Sequence, residues 1–171
     1  MYPIQFSLKD GQSVKIRPMQ LDDLLAIDAM HDRLSKQSLY YRYFVARKPR
    51  LDALREQMQR SQYRGAALVA TLDSAPDEII GMAYYLFTPK DASVAEPAIL
   101  VEDRFQGLGL GGALFKYLSR EALSQALHAF QFFVLPENRR MLRLLNQVPF
   151  NTERQYGDGV YEVRLSLRRK R

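Results

Sequence analysis

The sequence predicts a mixed α/β fold of the α+β kind, with a mainly antiparallel sheet, one parallel crossover and flanking helices. Three observations carry that expectation. Two short runs, Ile4 to Leu8 and Ser13 to Arg17, flank Asp10-Gly11, a strong hairpin signal. Three apolar runs follow one another at Ala66 to Leu72, Ile79 to Phe87 and Val94 to Val101. A glycine-rich loop and a long helical pattern then separate the third run from another, Ala129 to Leu135. A helix between two strands makes them parallel, with a right-handed crossover.

Taken in order, Pro18 ends the second strand, and Gln20 to Asp23 give a polar, acidic start to a helix reaching about Leu34. The segment from Ser35 to Phe44 packs Tyr40, Tyr41 and Tyr43 around Arg42. Arg47 to Arg50 reads as a loop. Leu51 to Gln59 is a helix with Leu51, Leu54 and Met58 on one face. Asp73 to Asp77 is a turn. Ile79 to Phe87 is apolar on both faces and therefore central in the sheet. Pro97, inside the next strand, predicts a bulge or an unpaired edge. The main helix runs from about Gly109 to Leu127. Pro136-Glu137-Asn138 turns into a helix over Arg139 to Asn146. Phe150 to Tyr156 and Val160 to Leu167 close the sheet as an antiparallel pair around Gly157-Asp158-Gly159.

With 171 residues, 47% of them hydrophobic, the chain suits one domain over 1–171 with a sizeable core. The absence of cysteine excludes disulfides and thiolate metal sites, and two histidines, His31 and His128, argue against zinc, so no metal is expected. No run approaches about 18 apolar residues and the N-terminus lacks a signal-peptide core, so the expectation is a cytoplasmic protein without membrane contact. The formal net charge is +6, but four of the 25 basic groups are Arg168-Arg169-Lys170-Arg171. The basicity is largely a tail, read as a solvated terminus, and a nucleic-acid partner is not expected.

The stretch from Val101 to Phe115 organises the chain. A strand ends in Glu102-Asp103-Arg104, and the loop Gln106-Gly107-Leu108-Gly109-Leu110-Gly111-Gly112 opens a helix. The first helical turn has unpartnered N–H groups and the positive end of the dipole. Glycines let backbone approach a bulky anion closely. The loop is therefore a phosphate or pyrophosphate pocket. A P-loop is excluded because no Lys-Ser/Thr follows. Gly107, Gly109 and Gly112 fit the dinucleotide pattern Gly-x-Gly-x-x-Gly, but Glu121 comes too early for the acidic residue expected roughly 20 positions on. Glu102 and Asp103, as anions beside such a pocket, are read as solvated.

The spacing Gln106-x-x-Gly109-x-Gly111 also resembles the acyl-CoA-binding motif of the GNAT superfamily of N-acyltransferases. The order of elements resembles the GNAT fold over about Val14 to Leu167. Three further segments are similar to bacterial Pat-type protein lysine acetyltransferases. They are Leu34-Ser35 with Ser38, Tyr40, Arg42, Tyr43 and Phe44; Ala95-Glu96-x-Ala98; and Glu137-Asn138-Arg139-x-Met141-Leu142-Arg143-Leu144. The resemblance implies acetyl-CoA as co-substrate, a splayed parallel strand pair holding the pantetheine arm, and Gln106 through Gly112 around the pyrophosphate. It implies Asn138 at the arm, a position that also reads as a helix N-cap. It implies Glu96 as the general base that takes the proton from the acceptor amine. A backbone N–H of Leu100 or Val101 would serve the thioester oxygen as charge develops.

One departure stands out. Many GNAT enzymes carry a tyrosine on the last helix as general acid, and the matching position here is Leu145, with Pro149-Phe150 in place of Gly-Phe. Tyr84 or Tyr85 could substitute, unless they are core residues. The acceptor is then a primary amine, a protein lysine or a small molecule such as an amino acid. The alternative is a non-catalytic acyl-CoA-binding module.

Overall fold

The computed structural model describes residues 2–63 and 65–169, and the side chains of all of these except 168 and 169. The basic tail, apart from the backbone of 168 and 169, thus lies outside the described residues. The elements are β1 (Ile4–Ser7), β2 (Ser13–Pro18), a 3-10 turn (Leu21–Asp23), α1 (Leu24–Asp32), α2 (Lys36–Tyr43), α3 (Leu51–Tyr63), β3 (Gly65–Leu72), β4 (Ala75–Thr88) and β5 (Asp91–Val101). A second 3-10 turn (Asp103–Phe105) leads to α4 (Leu110–Ser124), β6 (Ala129–Val134), α5 (Arg139–Gln147), β7 (Phe150–Gly157) and β8 (Val160–Arg169).

Among the described residues the eight strands form one sheet in the order β1-β2-β3-β4-β5-β6-β8-β7. All neighbours are antiparallel except β5 and β6, the strands joined through α4. The hairpin, the central strand and the crossover stand where the sequence places them. Several boundaries differ, among them the end of α3, which runs on to Tyr63 and not Gln59, and the start of β5, at Asp91 and not Val94. β4 begins at Ala75, so the expected turn at Asp73 to Asp77 shrinks to its first two residues. The main helix is shorter than its apolar pattern, because Ala126 takes a positive φ and the chain leaves the helix at Gln125.

The sheet separates two cores. One lies under α4 and α5 and gathers Val14, Ile16, Leu68, Tyr85, Leu114, Leu118, Phe130 and Leu165. The other lies under α1 to α3 and gathers Ile27, Met30, Leu54, Met58, Val69, Met82, Tyr84, Ala98 and Leu100. Alternation along each strand sends successive residues to opposite cores. Each fully buried leucine, such as Leu54 or Leu118, contributes about 2 kcal/mol by leaving water. Helix ends are fixed locally. Arg17 grips Asp23 with two 2.8 Å hydrogen bonds, and Asp23 accepts from the Gln20 N–H. Ser35 caps α2 by accepting from the Ser38 N–H. No helix among the described residues is long and apolar enough to cross a membrane.

Candidate active site

The pairing of β5 explains the site. Against β6 it has only two partners, Val94↔Ala129 and Ala95↔Phe130. From Glu96 onward the two strands diverge, while β4 stays in register with β5 up to Val101. The resulting cleft has a volume of about 950 Å³. Its walls include Pro97, Ile99, Val101, Phe132, Val134 and Met141, and it runs to the glycine loop.

Backbone direction inside the cleft follows from two bonds. The Glu102 N–H donates to the Ile80 carbonyl, and the His128 N–H donates to the Ser93 carbonyl. In an antiparallel ladder every second residue faces the same neighbour. The backbone groups of Glu96, Ala98, Leu100 and Glu102 therefore face β4, and those of Pro97, Ile99 and Val101 face the gap. Of the two amides considered for the thioester oxygen, only that of Val101 faces the cleft. Leu100 lines it with other atoms, but its N–H belongs to the β4 ladder. Pro97 causes no bulge, since the register is unbroken from Ala95 to Val101. Its missing donor falls on the side where β5 has no partner strand, so no ladder bond is lost. Ile99, which the sequence reading passed over, presents a backbone donor and acceptor to the gap.

At the loop, Gly107 and Gly109 hold φ at +78° and +95°, a region that side chains other than glycine enter at a cost. Gly109 is the N-cap of α4 and supplies no side-chain cap. The N–H groups of the first turn, at Leu110, Gly111 and Gly112, have no side-chain acceptor from it. Gly107, Gly109, Gly111 and Gly112 all line the cleft. A Cβ on Gly111 would meet nothing nearer than Val101 Cγ2 at 3.9 Å, so that face is open. Leu108 braces the loop through its carbonyl, which accepts from the Lys9 N–H at 3.1 Å, and Leu110 is fully buried.

Gln106 is a brace rather than a free ligand. Its Nε2 donates to the Val101 carbonyl at 2.9 Å and to Ser38 Oγ at 3.1 Å, and its Oε1 accepts from Arg140. Asn138 is the N-cap of α5, its Oδ1 accepting from the Met141 N–H at 3.2 Å, and it lines the cleft as well. Neither acidic residue before the loop is a free solvated charge, contrary to expectation: Glu102 is buried, and Asp103 is partly buried and hydrogen-bonded. Glu102 is 3% exposed and lies between Arg33, whose Nε is at 2.9 Å, and Arg104. Asp103 accepts from the Ser35 N–H and from the Ser35 and Ser38 hydroxyls, at 3.0, 2.6 and 2.9 Å. Partial burial works against the Asp103 anion, but these hydrogen bonds outweigh it and hold its pKa below the usual carboxylate range. A charge followed by a serine-capped helix elsewhere in the chain leaves no local pattern, so sequence did not disclose these contacts.

At the other end of the cleft, Glu96 is exposed on its wall. It shares a sheet face with Ala98 and Leu100, as alternation predicts. Arg42 of α2 lines the cleft beside it, its guanidinium 4.8 Å from the Tyr43 ring centre and 5.4 Å from that of Tyr84, and it donates to the Tyr84 hydroxyl. Burial opposes the Arg42 cation, but the two tyrosines and the Glu96 charge raise its pKa above the ordinary value. Tyr43 in turn donates to His31 Nε2 at 2.6 Å, because His31 Nδ1 must carry the proton that it gives to the Ile27 carbonyl at 2.7 Å. Tyr41 donates to the Glu137 carbonyl at 3.1 Å and so ties α2 to the β6–α5 turn. Neither central tyrosine reaches the cleft. Tyr84 is 4% exposed and Tyr85 is fully buried in the opposite core, packed on Phe87 and Phe130. Leu145 is 1% exposed, a core residue of α5. Lys9 and Arg140 also line the cleft, and no motif singled them out; Arg139 and Arg143, both within the segment Glu137 to Leu144, line it too.

Residues 31–148 match the Acetyltransferase (GNAT) family. Among known proteins, the chain is similar to the acetyltransferase PA5475 of Pseudomonas aeruginosa, at 26% identity over 164 residues, 94% of this chain and 88% of that one. It is 26% identical over 146 residues to the acetyltransferase Pat of Mycolicibacterium smegmatis, covering 85% of this chain but 44% of that protein. Its structure superposes on the crystal structure of the GNAT domain of S. lividans PAT with a TM-score of 0.81, 25% identity and 96% coverage of both chains. The glycine loop at an uncapped helix start and the strand pair that opens above it lie within the matched region, and the chain belongs to the GNAT family of acetyl-CoA-dependent acetyltransferases, with its likeness falling among the Pat-type members.

Proposed function

We propose that the protein transfers an acetyl group from acetyl-CoA to a primary amine, that the amine is a protein lysine side chain, and that Glu96 is the general base. In this reading the first-turn amides of α4 and the loop Gln106 to Gly112 hold the diphosphate, and the pantetheine arm lies along β5. The gap-facing groups of Ile99 and Val101 pair with the arm as an added strand would, and Asn138 closes it from the α5 side. The Ile99 N–H, the gap-facing donor nearer Glu96, serves the thioester oxygen as negative charge develops there, while the Val101 N–H pairs with the arm on its way from the loop.

The chemistry requires a neutral amine, and a lysine with a reference pKa near 10.4 is mostly charged at neutral pH. Glu96, directly or through a water, takes that proton. The nitrogen attacks the thioester carbon, the C–S bond breaks, and coenzyme A leaves as a thiolate that is protonated by solvent. A thiol with reference pKa near 8.5 needs little acid help, which is consistent with an apolar Leu145 where other family members place a tyrosine.

The observation that carries the reading is the opening between β5 and β6 from Glu96 onward, with an acid at one end and uncapped helical amides at the other. The test is thiol release from acetyl-CoA with lysine peptides, beside a calorimetric titration with acetyl-CoA. Turnover with peptides is the expected result. Binding without turnover on any amine would favour an acyl-CoA-binding module, and absence of binding at millimolar ligand would refute the site.

A further inference from the structure

The acceptor end of the cleft holds a cation that the reaction itself does not need. Arg42 has five N–H donors, and its hydrogen bond in the protein is to the Tyr84 hydroxyl. Among the described residues no carboxylate lies within 4 Å of it, whereas Arg33 and Arg104 share Glu102, and Arg17 holds Asp23. Its nitrogens are not sealed and unpartnered either, since the described side-chain atoms in that state are the Tyr85 hydroxyl and Ser119 Oγ. The free N–H groups therefore open onto the cleft that Arg42 lines. Stacking between Tyr43 and Tyr84 fixes the guanidinium plane in place before any ligand arrives. Tyr84 pairs with Ala98, which lies two residues along β5 from Glu96 on the same sheet face, and both Arg42 and Glu96 line the cleft. The glycine loop lies beyond the far end of β5, and other cations, Lys9, Arg140 and Arg143, stand in the cleft for the charges of the coenzyme.

A fixed cation beside a general base is the complement of an amine that carries a neighbouring carboxylate. The guanidinium fork takes the two carboxylate oxygens, and the amine is left pointing at the acid. Resting on the acetyl-transfer reading and on Glu96 as its base, we propose that Arg42 is the specificity-determining residue of the acceptor subsite and that the acceptor bears a carboxylate next to the reacting amine. That carboxylate belongs either to a free amino acid or to an acidic residue beside a protein lysine.

Matched acceptor pairs test this with the full chain and acetyl-CoA. One pair is leucine against 3-methylbutylamine, and the other is acetyl-Glu-Lys-amide against acetyl-Gln-Lys-amide. In one of the two pairs the carboxylate member is expected to have the higher kcat/KM by at least roughly tenfold, and that pair identifies the source of the carboxylate. Arg42→Gln should bring the ratio to within about twofold, mainly through KM, and Arg42→Lys should keep part of it. A melting curve for each variant separates this from unfolding, and the lysine variant serves if the glutamine variant does not fold. Equal rates within both pairs, or a preference that survives Arg42→Gln, would overturn the assignment. If no acceptor turns over, the same pairs are titrated calorimetrically into protein saturated with coenzyme A. A preference in Kd that depends on Arg42 supports the carboxylate site while the transfer reading fails, and equal or absent binding overturns the site itself.

Discussion

Single residues divide here into those that face the cleft and those that hold others in place. Glu96 is of the first kind, exposed on the wall where β5 leaves β6. Glu96→Gln should lower kcat by roughly 10²- to 10⁴-fold while the calorimetric Kd for acetyl-CoA stays put, because the amide keeps the shape and loses the proton acceptor. Lost affinity with intact turnover would refute the base role. His31 is of the second kind. It is 1% exposed, and burial pushes its pKa below the ordinary value of about 6.5. The folded state therefore binds fewer protons than the unfolded one as pH falls through about 6.5, and stability falls with it. Melting temperatures measured between about pH 8 and 5 should drop toward the acid side. His31→Gln should flatten that drop, at the cost of a lower melting point near neutrality from the weakened bond to Tyr43.

At the scale of elements, the loop into α4 combines two kinds of glycine, and they should respond differently to substitution. Gly109 sits at φ +95°, so any side chain there strains the backbone and confuses binding with folding. Gly111 is inside α4 and has room for a Cβ. Gly111→Ala should leave the melting temperature unchanged or raise it, as glycine costs roughly 0.5–1 kcal/mol relative to alanine in a helix. It should weaken acetyl-CoA binding by roughly tenfold or more, read by calorimetry, because the methyl group occupies the open face that a diphosphate needs. Undiminished binding would move the diphosphate elsewhere. These elements were legible from sequence because their signals are local: Asp10-Gly11 for the hairpin, glycine spacing for the loop, Asn138 before α5 for its cap. Glu102 and Asp103 were misread for the converse reason. Their partners, Arg33 and Ser35, lie some 70 positions earlier in the chain, and charge alone on a strand end looks like exposure. Of the two readings of Pro97, a bulge or an unpaired edge, the register supports the second, because β5 has no partner strand on that side there.

Across the whole molecule, one sheet with a core on each face supports a cleft that opens where two of its central strands part. Strand order was legible in outline, since alternating runs and a helical crossover allow few arrangements. The placing of β8 between β6 and β7 was not, because which strand of a terminal hairpin docks inward depends on contacts rather than on pattern. Acetyl-CoA at about 100 times its Kd should stabilise the fold by about 2.7 kcal/mol. A thermal-shift assay would read that as a rise of roughly 5–10 °C for a chain of this size.

The contacts of Gln106 have a kinetic meaning. One amide fastens the end of β5, the start of α2 and an arginine of α5 to the loop before any ligand is present. A nucleotide arriving at such a prepared seat loses little freedom in ordering the chain around it. Changes in tightness among variants of the seat should then show themselves as shorter residence times, with arrival rates nearly constant.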